Sequence, residues 1–171
     1  LHFIRIVVLC IAAAVAYGVV HDQVTARVCV EYFTVGHPRL IASESPLVLG
    51  LFWGVVATWW VGLPLGIALG LAARTGGRPK LDAADLLRPL RRLLVLMLAC
   101  ALVAGIAGFV SAELGQVALP RGLAARIDPA RHARFIADWW AHTTSYAVGI
   151  VGGVALAIRT FRRRRVQARS M

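Results

Sequence analysis

The sequence predicts an all-α fold: a four-helix transmembrane bundle in a single membrane domain, with both ends of the chain cytoplasmic and two polar loops outside. Three observations predict it. The 171 residues are 59% hydrophobic, more apolar surface than one soluble core of that size needs. Four runs, Leu1 to Val20, Leu47 to Ala73, Leu93 to Leu114 and Trp139 to Ile158, are each long enough to cross about 30 Å of hydrocarbon at about 1.5 Å per residue. The third observation is where the charge lies.

A formal net charge of +11 would suggest a nucleic-acid partner in a soluble chain, but a four-pass topology sorts it. Arg5, Arg74, Arg78, Lys80, Arg88, Arg91, Arg92, Arg159, Arg162 to Arg165 and Arg169 fall on one side, opposed only by Asp82 and Asp85. On the other side Arg27, Arg39, Arg121, Arg126, Arg131 and Arg134 balance Asp22, Glu31, Glu44, Glu113, Asp128 and Asp138. The whole excess therefore sits on one face, as cytoplasmic loops require, and nucleic acid is not an expected partner. The expected location is the inner membrane of a bacterium.

Span one begins with Arg5 ahead of its apolar run, but the run is long for a signal-peptide core and is expected to be retained. Beyond it, Val24 to Tyr32 alternates apolar and polar residues, which suits either an extended segment or a helical continuation of span one. Arg27 and Glu31 are neighbours in both geometries and are expected to pair. Gly36-His37-Pro38 reads as a turn. Cys10 and Cys100 lie inside spans as small hydrophobes, whereas Cys29 lies in the outer loop and is expected to be reachable from outside.

Span two carries Gly50, Gly54, Gly62, Gly66 and Gly70 at helical spacing, a surface for close helix approach, with span three as the expected neighbour. Pro64 should kink it. Trp53 suits the outer interfacial belt, while Trp59 and Trp60 fall deeper, as rings wedged between helices or as candidate cofactor-stacking residues. Asp82 is the expected cap of a short helix carrying Leu86, Leu87 and Leu90, lying on the inner leaflet with its arginines against anionic lipid. Asp128-Pro129 reads as a cap followed by proline in the first turn, opening a helix that runs into span four.

Alternating crossings bring His21 and Asp22, Glu113, and Asp138 with His142 to similar depth at the outer face. Histidines and carboxylates on several helices of one bundle are the ingredients of a transition-metal site, so His21, Glu31, Glu113, Asp138 and His142 are the candidate ligands, with His37 as an addition. No Glu-x-x-His spacing supports it. His21 and His142 would alternatively ligate a haem. A transport path lacks polar groups deeper than Thr58 and Ser111, and Ser111, His142 and Asp138 match no nucleophile motif. The leading expectation, ahead of the metal site and the haem, is an accessory or scaffold subunit that docks a protein partner through its outer loops. In it His21, Glu31, Glu113 and Asp138 hydrogen-bond one another to hold those loops.

The segment HDQVTARVCVEYFTVGHP followed by GLFWGVVATWWVGLPLG resembles a group of small bacterial four-span integral membrane proteins without an established activity. The resemblance covers about the first half of the chain. It implies a bacterial inner membrane and assigns no site residue.

Overall fold

The computed structural model describes residues 1–168, and within them every regular element is helical. Helix α1 (His2–Val28) crosses first and continues, after an extended residue at Cys29, into the short α2 (Val30–Thr34). Helices α3 (Pro46–Val56) and α4 (Trp59–Arg74) together make the second crossing. They are followed by α5 (Ala83–Glu113), a single turn α6 (Arg121–Ala124), a 3₁₀ turn at Pro129–Arg131 and α7 (His132–Gln167). Four of these stretches are long and apolar enough to cross a membrane. Arg169, counted above with the basic residues, lies outside the described residues.

Caps behave as their residue types dictate. Asp82 and Asp85 form a reciprocal capping box, the Asp82 N–H donating to Asp85 Oδ2 at 2.9 Å. The helix they open does not stop short but is continuous with span three, because Leu86, Leu90 and Leu93 keep one buried stripe running into it. Asp128 accepts from the Ala130 N–H at 2.9 Å, and Pro129 starts the turn that leads into α7. The outer stretch from Val24 is helical and not extended: its free backbone groups are satisfied within a helix, whereas a lone strand would have had no ladder.

The helices pack as two pairs. The glycine ladder of span two lies against α1, not against span three. A Cβ on Gly62 would stand 2.8 Å from the Cys10 carbonyl oxygen, and one on Gly66 2.8 Å from Val7 Cα. Span three is matched to α7 instead, with Gly105 leaving 3.4 Å to the Ala137 carbonyl and a Cβ on Gly149 standing 3.0 Å from Met97 Cε. The break in span two falls at Ala57–Thr58, where the Thr58 hydroxyl donates to the Gly54 carbonyl, and Pro64 sits inside α4 beyond it. Trp53 is buried with Ala26, Phe33 and Leu49, so it belongs to a core and not to an interfacial belt. Trp59 and Trp60 lie on the outside of the bundle, unlike rings wedged between helices.

At one end His2 Nδ1 stands 2.9 Å from Asp82 Oδ1, and Arg164 is wholly buried against the chain from Ala72 to Pro79. The start of α1, the turn after α4 and the end of α7 therefore gather together. The other end holds the buried histidines.

Candidate functional site

Span one delivers Tyr17, His21 and Asp22 to one place because 17 and 21 share a face, with 22 beside them. Helix α7 delivers Asp138, His142 and Ser145 along one stripe by the same spacing, and all three are buried. Where the two stripes meet, one ligand atom each from His21, Asp22 and His142 lie within 4.8 Å of one another. His142 Nε2 is 3.2 Å from Asp22 Oδ1, and the His21 and His142 rings meet edge to face at 4.5 Å between centroids. Beneath them the Tyr17 hydroxyl and Ser145 Oγ share a hydrogen bond of 2.5 Å.

The hydrogen bonds assign the proton on His142. Its Nδ1 stands 2.7 Å from the Asp138 backbone carbonyl, an acceptor only, so Nδ1 carries the hydrogen and donates. In a neutral ring Nε2 then bears a lone pair, and that lone pair faces the Asp22 carboxylate. Two electron pairs do not rest at that distance without a positive charge between them, a proton or a metal ion. His21 Nε2 is buried with no hydrogen-bond partner, and so is Asp138 Oδ2. Among the described residues no lysine or arginine touches the trio: His142 is the side chain that pairs with Asp22, and Arg131 is drawn off to Glu31 at 3.6 Å.

A lid of aromatic and sulfur side chains separates the trio from the loops. Tyr32 stacks on His142 at 4.4 Å, and Phe33 lies edge-on to it at 5.8 Å. Burial pushes the Tyr32 phenol up. Cys29 is fully buried and donates to Glu31 Oε2 at 3.3 Å; burial first, then that bond, push its thiol up to about 12. The expectation that Cys29 is reachable from outside therefore fails, because Cys29 packs into a core with Leu119, Ile127, Phe135 and Ile136. His37 donates from Nδ1 to the Tyr32 carbonyl at 2.9 Å and packs on Phe33 and Trp53, and burial lowers its pKa. It stands outside the trio.

Of the five candidate ligands, the structure brings together His21 and His142 and adds Asp22. Asp138 meets them through its carbonyl. Glu31 is spent on Cys29 and Arg131, and Glu113 is exposed at the last residue of α5. The expected Arg27–Glu31 pair does not form, since the break at Cys29 carries Glu31 away and Arg27 donates instead to Gln23 Oε1 at 2.7 Å. Nor do His21, Glu31, Glu113 and Asp138 hydrogen-bond one another as a loop-holding network would require. A haem between His21 and His142 has no slot, because the two rings already touch. No hydrogen bond links Ser111 to His142 or Asp138; the serine at the site is Ser145. Tyr17 and Ser145 were missed, although their spacings, four before His21 and three after His142, place them on the same faces.

No protein-family model matches the chain, and neither does any curated protein or solved structure. The site must speak for itself.

Below the trio a cavity of about 890 Å³ runs between the two helix pairs, reaching as far as Leu90 and Ile158. Its polar groups, Tyr17, His21, Asp22, Thr58, His142, Ser145 and Tyr146, are confined to the histidine end, and the rest of the wall is aliphatic apart from Trp60. Trp60, Pro64 and Ala68 on α4 and Ile150, Val154 and Ile158 on α7 line it and are also exposed on the outside of the bundle. The cavity is thus a cleft that opens sideways between α4 and α7 on either side of the point where Leu65 of α4 meets Gly153 of α7.

Proposed function

We propose that this chain is a bacterial inner-membrane protein that holds one divalent transition-metal ion between His21, Asp22 and His142, near its outer face. The observation that carries the reading is His142 Nε2, aimed at Asp22 Oδ1 by the bond of Nδ1 to the Asp138 carbonyl, with the unpartnered His21 Nε2 beside it. A metal-bound histidine commonly donates its other ring N–H to a carbonyl in this way, which fixes the tautomer and aims the free nitrogen. The orphaned His21 Nε2 supplies the third donor. Nitrogen and oxygen ligands on one tetrahedral zinc ion stand about 3.4 Å apart, so binding would draw the most distant pair of the trio together by up to about 1.4 Å. Two imidazoles and one carboxylate suit Zn²⁺ or Fe²⁺, and a set of three leaves coordination positions open. The arginine excess at the opposite end supports the orientation, seating residues 74 to 92 and 159 to 165 against anionic headgroups of the inner leaflet.

Protein purified in mild detergent, stripped with chelator and re-equilibrated separately with Zn²⁺, Fe²⁺ and Mn²⁺, tests it by elemental analysis. One ion per chain is expected for at least one of the three, falling below a tenth of that in His142→Ala and in His21→Ala. Glu113→Gln should leave the stoichiometry unchanged. A wild-type chain that retains none of them stoichiometrically would end the reading.

A further inference from the structure

We propose that the cleft receives the chain of a membrane amphiphile that slides in sideways from the bilayer and brings an anionic oxygen, carboxylate or phosphate, to the metal. This rests on the metal reading. Three features choose the occupant. The first is the mouth: Trp60, Pro64 and Ala68 face Ile150, Val154 and Ile158 across it, and both edges lie within the membrane-crossing stretches. A solute in water has no access there, whereas a lipid has.

The second feature is shape. From His142 to Ile158 the cleft follows sixteen residues of α7, about 24 Å at the helical rise, most of the hydrocarbon thickness. Its volume of about 890 Å³ lies near the top of the range for ligand pockets. A compact ligand would leave most of it empty; one long acyl or isoprenoid chain follows it. The wall makes little polar demand along that length, since its hydroxyl, imidazole and carboxylate groups stop at Thr58 and Tyr146.

The third feature is charge. A divalent ion on two neutral imidazoles and the Asp22 carboxylate keeps one positive charge, and the cleft contains no other acid to balance it. An anionic head closes that balance in a medium where an unpaired charge is costly. With no lysine or arginine on the wall, such a head has nothing else to bind to, so its affinity should depend on the ion. The Tyr17 and Ser145 hydroxyls, adjacent to the trio on the cleft side, are placed to donate to the head's remaining oxygens.

The experiment uses the full chain in nanodiscs of neutral phosphatidylcholine and measures equilibrium binding of three probes. Oleate is the carboxylate arm, farnesyl monophosphate the phosphate arm and oleyl alcohol the uncharged control. Metal-loaded protein should bind oleate, farnesyl monophosphate or both at least tenfold more tightly than stripped protein, with the better arm naming the head. Oleyl alcohol should show no such gain. Ala68→Phe and Val154→Trp, one on each lip of the mouth, should each weaken that binding at least tenfold while the metal stoichiometry holds. Two lip variants guard against a folding defect in either one. Metal bound at full stoichiometry with anion affinities equal in loaded and stripped protein, or unchanged by both lip variants, would overturn this inference and leave the metal reading standing. Absence of metal from the wild type would overturn both.

Discussion

The two ends of this molecule each bury charge, and they do so in opposite ways. At one end Arg164 is completely enclosed, yet its guanidinium finds four carbonyls: Pro79 from Nε at 2.7 Å, Ala72 from Nη1 at 2.8 Å, and Thr75 and Arg78 from Nη2 at 2.8 and 3.2 Å. Ala72 and Thr75 end α4, where free carbonyls and the negative pole of the helix favour a cation. At the other end His21 and Asp138 each keep a buried polar atom with no partner, and His142 turns Nε2 toward the Asp22 carboxylate. A satisfied buried charge holds a fold together. An unsatisfied one is a standing cost that folding alone does not explain, and that is the physical mark of a site.

The largest expected effect breaks the satisfied end. Arg164→Leu removes the guanidinium from all four carbonyls and should lower stability by about 3 kcal/mol, read as a fall in the thermal midpoint in detergent. Arg164→Lys should recover only part of it, because an ammonium cannot reproduce the planar fork. Equal midpoints for Leu and wild type would show that the carbonyl collar adds nothing. The next effect is smaller and has the opposite sign. Asp138→Asn keeps the backbone carbonyl that holds His142 and exchanges a buried carboxylate, one of whose oxygens has no partner, for a neutral amide, so metal-free protein should gain about 1 kcal/mol. A loss of stability in that variant would mean the Asp138 carboxylate is paired after all, and the contrast between the ends would disappear.

Both ends were unequally legible in the sequence, for physical reasons. Apolar length and arginine placement set the spans, and helical spacing put Asp138 and His142 on one face before any coordinates. Alternate crossing then set His21 and Asp22 at the same depth. Pairing of the helices was not legible: a glycine ladder announces a close neighbour without naming it, and α1, with Gly18 opposite Gly54, proved the better fit than span three. Arg164 was hidden for a related reason. It stands in a run of four arginines, and only the helical phase of α7 against the turn after α4 turns it inward while Arg162, Arg163 and Arg165 stay exposed. Glu31 was misassigned because a single extended residue, Cys29, interrupts the helix on which its pairing with Arg27 depended.

The last prediction sharpens the contrast from the loop side, where the lid must keep water from the histidines. Cys29 has no exposed surface and its thiol is pushed up from 9.0 to about 12. In a variant with Cys10 and Cys100 replaced by alanine, modification by iodoacetamide at pH 8 should be slower in the native protein than in the unfolded chain by roughly a thousandfold from thiolate content, with burial slowing it further. The direction with pH follows from the same shift. The unfolded chain releases its Cys29 proton as pH climbs through 9 while the native protein still holds it, so alkaline solution favours unfolding, and the contribution of the buried thiol is complete only below that range. Glu31→Gln keeps an acceptor near the sulfur but removes the charge, so native reactivity should rise modestly while metal stoichiometry at the trio stays at one. Rapid native labelling at pH 8 would place Cys29 in water, and with it the face of Tyr32 that covers His142.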